Sequence, residues 1–209
     1  MSTKFINTVS VPPTALIKPI YDTQEIVQNQ SEINFFPAVA SKKIPRNNYV
    51  SNPLPGETVR RVVGLSFELV RQFTSLDADN SIDPVAIVNA LKDASVILTA
   101  DSNYKQFLRT TIDRHSNFSG TSIEGAHATA LVGAAIQSAT SKTAITKRSG
   151  IYFLADPFDI APNQTIDLKV TFKDSSKFPT AAQWDASGQG RLNLMATLHV
   201  AEFEANSLN

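Results

Sequence analysis

The stretch that decides the fold is DPFDIAPNQTIDLKVTFKD, residues 156–174. Ile166, Leu168, Val170 and Phe172 alternate there with Thr165, Asp167, Lys169, Thr171 and Lys173. A period of two puts each set of side chains on its own face of an extended strand, so the segment reads as a half-buried β-strand. APNQ, with Pro162 and Asn163, supplies the turn before it. This strand is expected to lie beside the final strand or another long one, its apolar face against an opposing sheet.

The same periodicity recurs along the chain. In RLNLMATLHVAEFEA, residues 191–205, Leu192, Leu194, Ala196, Leu198 and Val200 alternate with Asn193, Met195, Thr197, His199 and Ala201. Val63, Leu65, Phe67 and Leu69 alternate with Gly64, Ser66, Glu68 and Val70. IYDTQEIV, SEINFF, SVILTA and YKQFLRTTID read as further strands, and GIYFLADPF as one ending at Pro157. One helix is expected after Asp83, a good N-cap, with Pro84 at the first helical position, Val85, Val88 and Leu91 on one apolar stripe and Ile87 beside it. About eight strands joined by very unequal loops point to an all-β fold: an antiparallel jelly-roll sandwich or barrel with one short helix and long loops.

Other stretches read differently. Residues 1–20, with Pro12, Pro13 and Pro19, are expected to form an extended N-terminal arm, leaving 21–209 as the jelly-roll domain. Pro37, Pro45, Pro53 and Pro55 mark a long loop. Residues 116–149 are rich in Ala, Ser, Thr and Gly, and helix and loop stay open there.

Composition narrows the function. Nineteen basic and nineteen acidic residues cancel, so no overall field draws the chain to nucleic acid or membrane. The absence of cysteine excludes disulfides, thiolate chemistry and sulfur-ligated zinc. The most apolar small-residue run, residues 125–139, is shorter than a membrane span and contains His127 and Gln137.

The chemistry-bearing residues are few. His115, His127 and His199 are widely separated, and Ser66 lacks the second glycine of a nucleophile elbow because Glu68 stands there. Asp77, Asp79, Ser81 and Asp83 resemble the start of a calcium loop, which then fails at Ile82 and Val88. Asp156 and Asp159 could form an acid–base pair, but both flank a proline turn. GQG at residues 188–190 precedes a strand, whereas a phosphate cradle precedes a helix. Lys42, Lys43 and Arg46, near Tyr49, form a small basic cluster that reads as a solvated loop or a phosphate contact. Trp184 and Phe178 read as a sugar-stacking surface, as plugs that fix a loop to the sandwich, or as residues that pack against a neighbour. No catalytic, cofactor-binding or metal residue is assigned, and no cofactor is expected.

Three stretches together carry a resemblance: IYDTQEIV to SEINFF, LPGETVRRVVGLSFELV, and IYFLADPFDIAPNQTIDLKVTF followed by LNLMATLHVAEF. Their order resembles the jelly-roll capsid proteins of tailless icosahedral bacteriophages. Double-jelly-roll major capsid proteins are longer than this chain, so the resemblance implies a single jelly roll. It also implies a non-enzymatic structural protein of the virion, assembled in the host cytoplasm through its arm and barrel-end loops. The implied partners are other copies of itself and other capsid proteins, with at most weak contact to a packaged genome or internal membrane, and no small-molecule substrate. A receptor- or carbohydrate-binding sandwich centred on Trp184 is the alternative. A cupin-like enzyme would need clustered histidine and carboxylate ligands.

Overall fold

The computed structural model describes residues 4–6, 9–12, 14–37, 47–49, 51–53, 56–69, 74–75, 84–100, 105–112, 122–132, 135–145, 152–178, 180, 182 and 193–204. Eight strands form two four-stranded antiparallel sheets. In chain order these are β3 (Leu16–Glu25), β4 (Glu32–Phe35), β5 (Thr58–Leu69), β7 (Ser95–Ala100), β8 (Lys105–Thr111), β11 (Tyr152–Ile160), β12 (Ile166–Thr171) and β13 (Asn193–Glu204). One sheet runs β11-β5-β13-β3 and the other β4-β12-β7-β8. Between these strands fall β6 (Thr74–Ser75), α1 (Pro84–Lys92), β9 (Ser122–Val132) and β10 (Ala135–Ile145), and β1 (Lys4–Ile6) and β2 (Val9–Val11) precede them.

The alternation in residues 166–172 translates directly into packing. Ile166, Leu168, Val170 and Phe172 are buried, while Asp167 is exposed and Lys169 and Thr171 are half-buried. Burying each apolar side chain contributes about 1.5–3 kcal/mol, enough to set the facing of the strand. Its neighbours differ from the expectation. β12 lies between β4 and β7, and β13 belongs to the other sheet. Periodicity specifies which face is inward; it carries no information about which strand lies alongside.

The two inner faces share one core. Leu65, Phe67, Leu194, Ala196, Leu198 and Val200 from one sheet join Ile33, Phe35, Val96, Leu98, Leu168 and Val170 from the other. Phe35 and Phe67 meet edge-to-face with centroids 6.2 Å apart. α1 begins at Pro84 as its sequence implies and buries Ile87, Ala90 and Leu91 in the same core. Asp83 lies outside the described residues.

β5 does not keep a single phase. His199 pairs with Gly64 and Val200 with Val62, so Val63 is an extra residue. Such a bulge switches the inward set, which is why Val62 joins Leu65 and Phe67 in the core. β11 also continues past Pro157 to Ile160, because its ladder is interrupted between Phe153 and Phe158 and a proline there breaks no bond.

Two further segments depart from the sequence reading. Residues 16–20, assigned to the arm, pair with β13 as the start of β3. Pro19 disguised that strand, yet its missing donor falls on the open edge of the sheet. Of residues 116–149, the described part is neither helix nor loop: β9 and β10 form a hairpin in register from Ser122↔Ile145 to Val132↔Ala135. β-Branched residues such as Ile123, Thr129, Val132, Ile136, Thr140 and Thr143 favour strand, and they outweigh the alanines.

Candidate interaction surface

Strand direction sorts the connections into two groups. β3 runs from one end of the sandwich to the other, and each antiparallel neighbour reverses it. The finish of β3, β5, β8 and β12 and the start of β4, β7, β11 and β13 therefore share one end. The finish of β4, β7, β11 and β13 and the start of β3, β5, β8 and β12 share the opposite end. The first end carries the accessory elements: β6 and α1 in one link, β9 and β10 in another. There β6, β10 and β9 form a three-stranded sheet in that order.

Side chains hold the shorter links at this elaborated end. Phe178 is buried and packs edge-to-face on Phe172, 4.8 Å between centroids, so of the readings of Phe178 the structure supports the plug. The backbone N–H of Asn29 donates to Ser175 O and that of Phe172 to Ser31 O, tying two links together.

The open edge of β3 is partly closed by asparagine. The Tyr21 N–H donates to Asn48 Oδ1 at 2.8 Å, the Asn48 N–H donates to Tyr21 O, and Asn48 Nδ2 donates to Pro19 O. Asn52 extends the ladder on β12 beyond its last pair with β4, Leu168 and Phe35: the Ile166 N–H donates to its Oδ1 at 2.9 Å, and its Nδ2 donates to Ile166 O and Phe36 O. A primary amide offers donor and acceptor at the spacing of a peptide group, so each side chain stands in for a missing strand residue. Beyond Asn48, Leu16 and Ile17 are 64% and 55% exposed, the large apolar side chains left open among the described residues.

Asp22 is the most enclosed acid among the described residues, 1% exposed. It accepts from the N–H groups of Phe36 at 2.8 Å and Thr23 at 2.9 Å, and from Gln24 Nε2 at 2.9 Å. Phe36 sits at φ 59°, strained for a bulky residue, and its ring meets Tyr49 edge-to-face at 5.5 Å. The buried Tyr49 hydroxyl has no hydrogen-bond partner among the described residues; burial first, and Asp22 second, push the phenol well above its ordinary range. Asp22 thus pins the turn out of β4 onto β3. Nothing in the sequence pattern marked it, because an acid on the inward phase of a strand reads as an interruption.

At the opposite end, the bulge in β5 aligns Arg60 with Glu202. Glu202 meets Arg60 Nη2 at 3.0 Å, Lys18 Nζ at 3.1 Å and Thr58 Oγ1 at 2.7 Å. Burial raises this carboxyl, and the Thr58 and Lys18 hydrogen bonds and the Arg60 charge outweigh it, leaving it below the ordinary carboxylate value. Here Val11 and Ala15 pack with Val59, Ala201 and Phe203 in a second small cluster, so residues before β3 fold back onto their own sheet.

Of the candidates for chemistry, Ser66 and His199 come together: Oγ and Nε2 are 2.9 Å apart across β5 and β13. Burial lowers the imidazole pKa, which favours the neutral form. That is half of a nucleophilic arrangement. Among the described residues no carboxylate bonds the other ring nitrogen, and the pair acts as a cross-strand tie. Asp159 is held by Arg61 in a two-pronged bridge of 2.7 and 2.8 Å, while Asp156 is exposed in the interrupted part of β11. His127 lies in β9 opposite Thr140. Lys42, Lys43, Arg46, Asp77, Asp79, Ser81, Asp83, His115, Trp184 and residues 188–190 lie outside the described residues. Among the described residues no three His, Cys, Asp or Glu side chains gather as a metal site. No family model, curated protein or solved structure matches the chain.

Proposed function

We propose that this chain is a jelly-roll capsid subunit of an icosahedral virus, a structural protein that assembles with copies of itself. The strand order carries the reading. Counting the eight sandwich strands along the chain, the ladders join first to eighth, second to seventh, third to sixth and fourth to fifth. That is a single long antiparallel ribbon of four pairs, and it is wrapped so that eighth also meets third and seventh meets fourth. This wrapping supports the jelly-roll reading, an architecture shared by viral shells, lectins and cupins. Among the described residues the space between the sheets is packed with apolar side chains such as Leu65, Phe67, Leu98, Leu168 and Leu198, which favours a shell or binding sandwich over a barrel built around metal ligands.

On this reading the elaborated end and the N-terminal segment meet neighbouring subunits. β1 and β2 form a separate two-stranded sheet of three-residue strands, a unit with little stability in water unless something packs on it. The partners are copies of this chain and other shell proteins, the setting is the virion assembled in host cytoplasm, and no catalysis is involved. Sedimentation velocity of the full chain and of a form lacking residues 1–10 tests this. The full chain should sediment as oligomers or closed particles, and the shortened form as smaller species with the same circular dichroism. Identical assembly of both removes the N-terminal segment from the mechanism, and a monomeric full chain removes the capsid reading.

A further inference from the structure

Most strand edges of this molecule are blunted. The β3 edge carries Pro19 and the Asn48 amide. The β11 edge is interrupted between Phe153 and Phe158 and contains Pro157. β8 carries Lys105, Arg109 and a register shift, and β4 is four residues long. Short edges, prolines, bulges and basic side chains are the devices that keep a sheet from pairing with another chain.

β9 has none of them. It is eleven residues long, SIEGAHATALV, without proline, lysine or arginine, and its ladder to β10 has no irregularity. Among the described residues its other edge has no partner strand. About half of its backbone N–H and C=O groups point to that side, because an antiparallel ladder uses alternate residues. Each such group needs a partner wherever water is excluded.

We propose that this edge pairs with β9 of a second copy, antiparallel about a two-fold axis, joining two β6-β10-β9 sheets into one of six strands. An antiparallel edge is self-complementary, as a two-fold contact requires. Charge permits it: β9 and β10 together carry one acid, Glu124, and one fixed cation, Lys142, at neighbouring register positions, so two hairpins meet without net repulsion. This inference rests on the self-assembly reading and names one contact within it.

The chain has no cysteine, so single cysteines at positions 122–132 report on the contact without background. About a two-fold axis, equivalent residues separate by roughly 7 Å for each step away from the centre, twice the strand rise. A disulfide spans Cα atoms only about 4.4–6.8 Å apart. Mild oxidation of associated protein should therefore give covalent dimer at one or two adjacent positions and none at either strand end, with circular dichroism confirming that each variant is folded. A flat or absent profile in protein that sedimentation shows to be associated overturns the β9 contact and leaves assembly standing. Protein that never associates overturns both.

Discussion

Replacing Asp22 with alanine should destabilise the fold by about 1–3 kcal/mol. The carboxylate is 1% exposed and accepts from the buried N–H groups of Phe36 and Thr23. Each donor left without an acceptor costs about 1–3 kcal/mol, so the two together cost about 2–6 kcal/mol. Gln24 is partly exposed and can turn to water, so its loss adds little. Two effects run the other way: an enclosed charge is removed, and Phe36 is released from its left-handed φ, a strain of about 1–3 kcal/mol. For a chain of this size the net loss corresponds to a fall in Tm of roughly 2–12 °C. The assay is denaturant and thermal unfolding followed by circular dichroism, on dilute unassembled protein. Asp22→Asn, which retains one acceptor oxygen, should fall between wild type and Asp22→Ala. An alanine variant within about 0.5 kcal/mol of wild type would show that the donors find other acceptors, and would refute the reasoning.

Three other perturbations follow from the same structure. Asn52→Ala removes the amide that bonds Ile166 and Phe36, and should cost about 2–3 kcal/mol in the same unfolding assay; a change below about 0.5 kcal/mol would mean that water replaces it. Leu168→Ala opens a cavity at a fully buried position in the middle of β12 and should cost about 2–5 kcal/mol, whereas a loss under about 1 kcal/mol would place the side chain outside a packed core. His199 has a folded-state pKa below its ordinary 6.5, so the unfolded chain takes the proton first: stability is full above that value and is lost as pH falls through the folded one. His199→Gln should therefore flatten the decline in Tm from neutral to mildly acidic pH. An unchanged decline assigns it to other groups.

The parts of the fold legible in the sequence are those where one face is buried and the other is not. Ile166 to Phe172 and Leu194 to Val200 alternate without interruption, and the structure buries the inward set in each. Pro84 marked the helix start, because a proline is harmless only there. Four kinds of feature stayed hidden. Partnership between strands depends on the wrapping of the ribbon, so periodicity left β12 beside β13 or another long strand, whereas it lies between β4 and β7. Strand character in the β9–β10 hairpin is masked by alanine and glycine, which carry no strong preference for a buried face. The braces at Asp22, Asn48 and Asn52 are polar side chains replacing backbone partners, and in sequence each resembles an ordinary loop or surface residue. The Ser66–His199 tie required the register of β5 on β13, which no local pattern encodes.

The central claim is that this wrapped ribbon is the building block of a closed shell. Multi-angle light scattering on a sizing column, with negative-stain microscopy of the same fractions, tests it most directly. The account predicts discrete symmetric oligomers or particles of uniform diameter. A single monomeric species at every concentration, with no particles in the images, would contradict it.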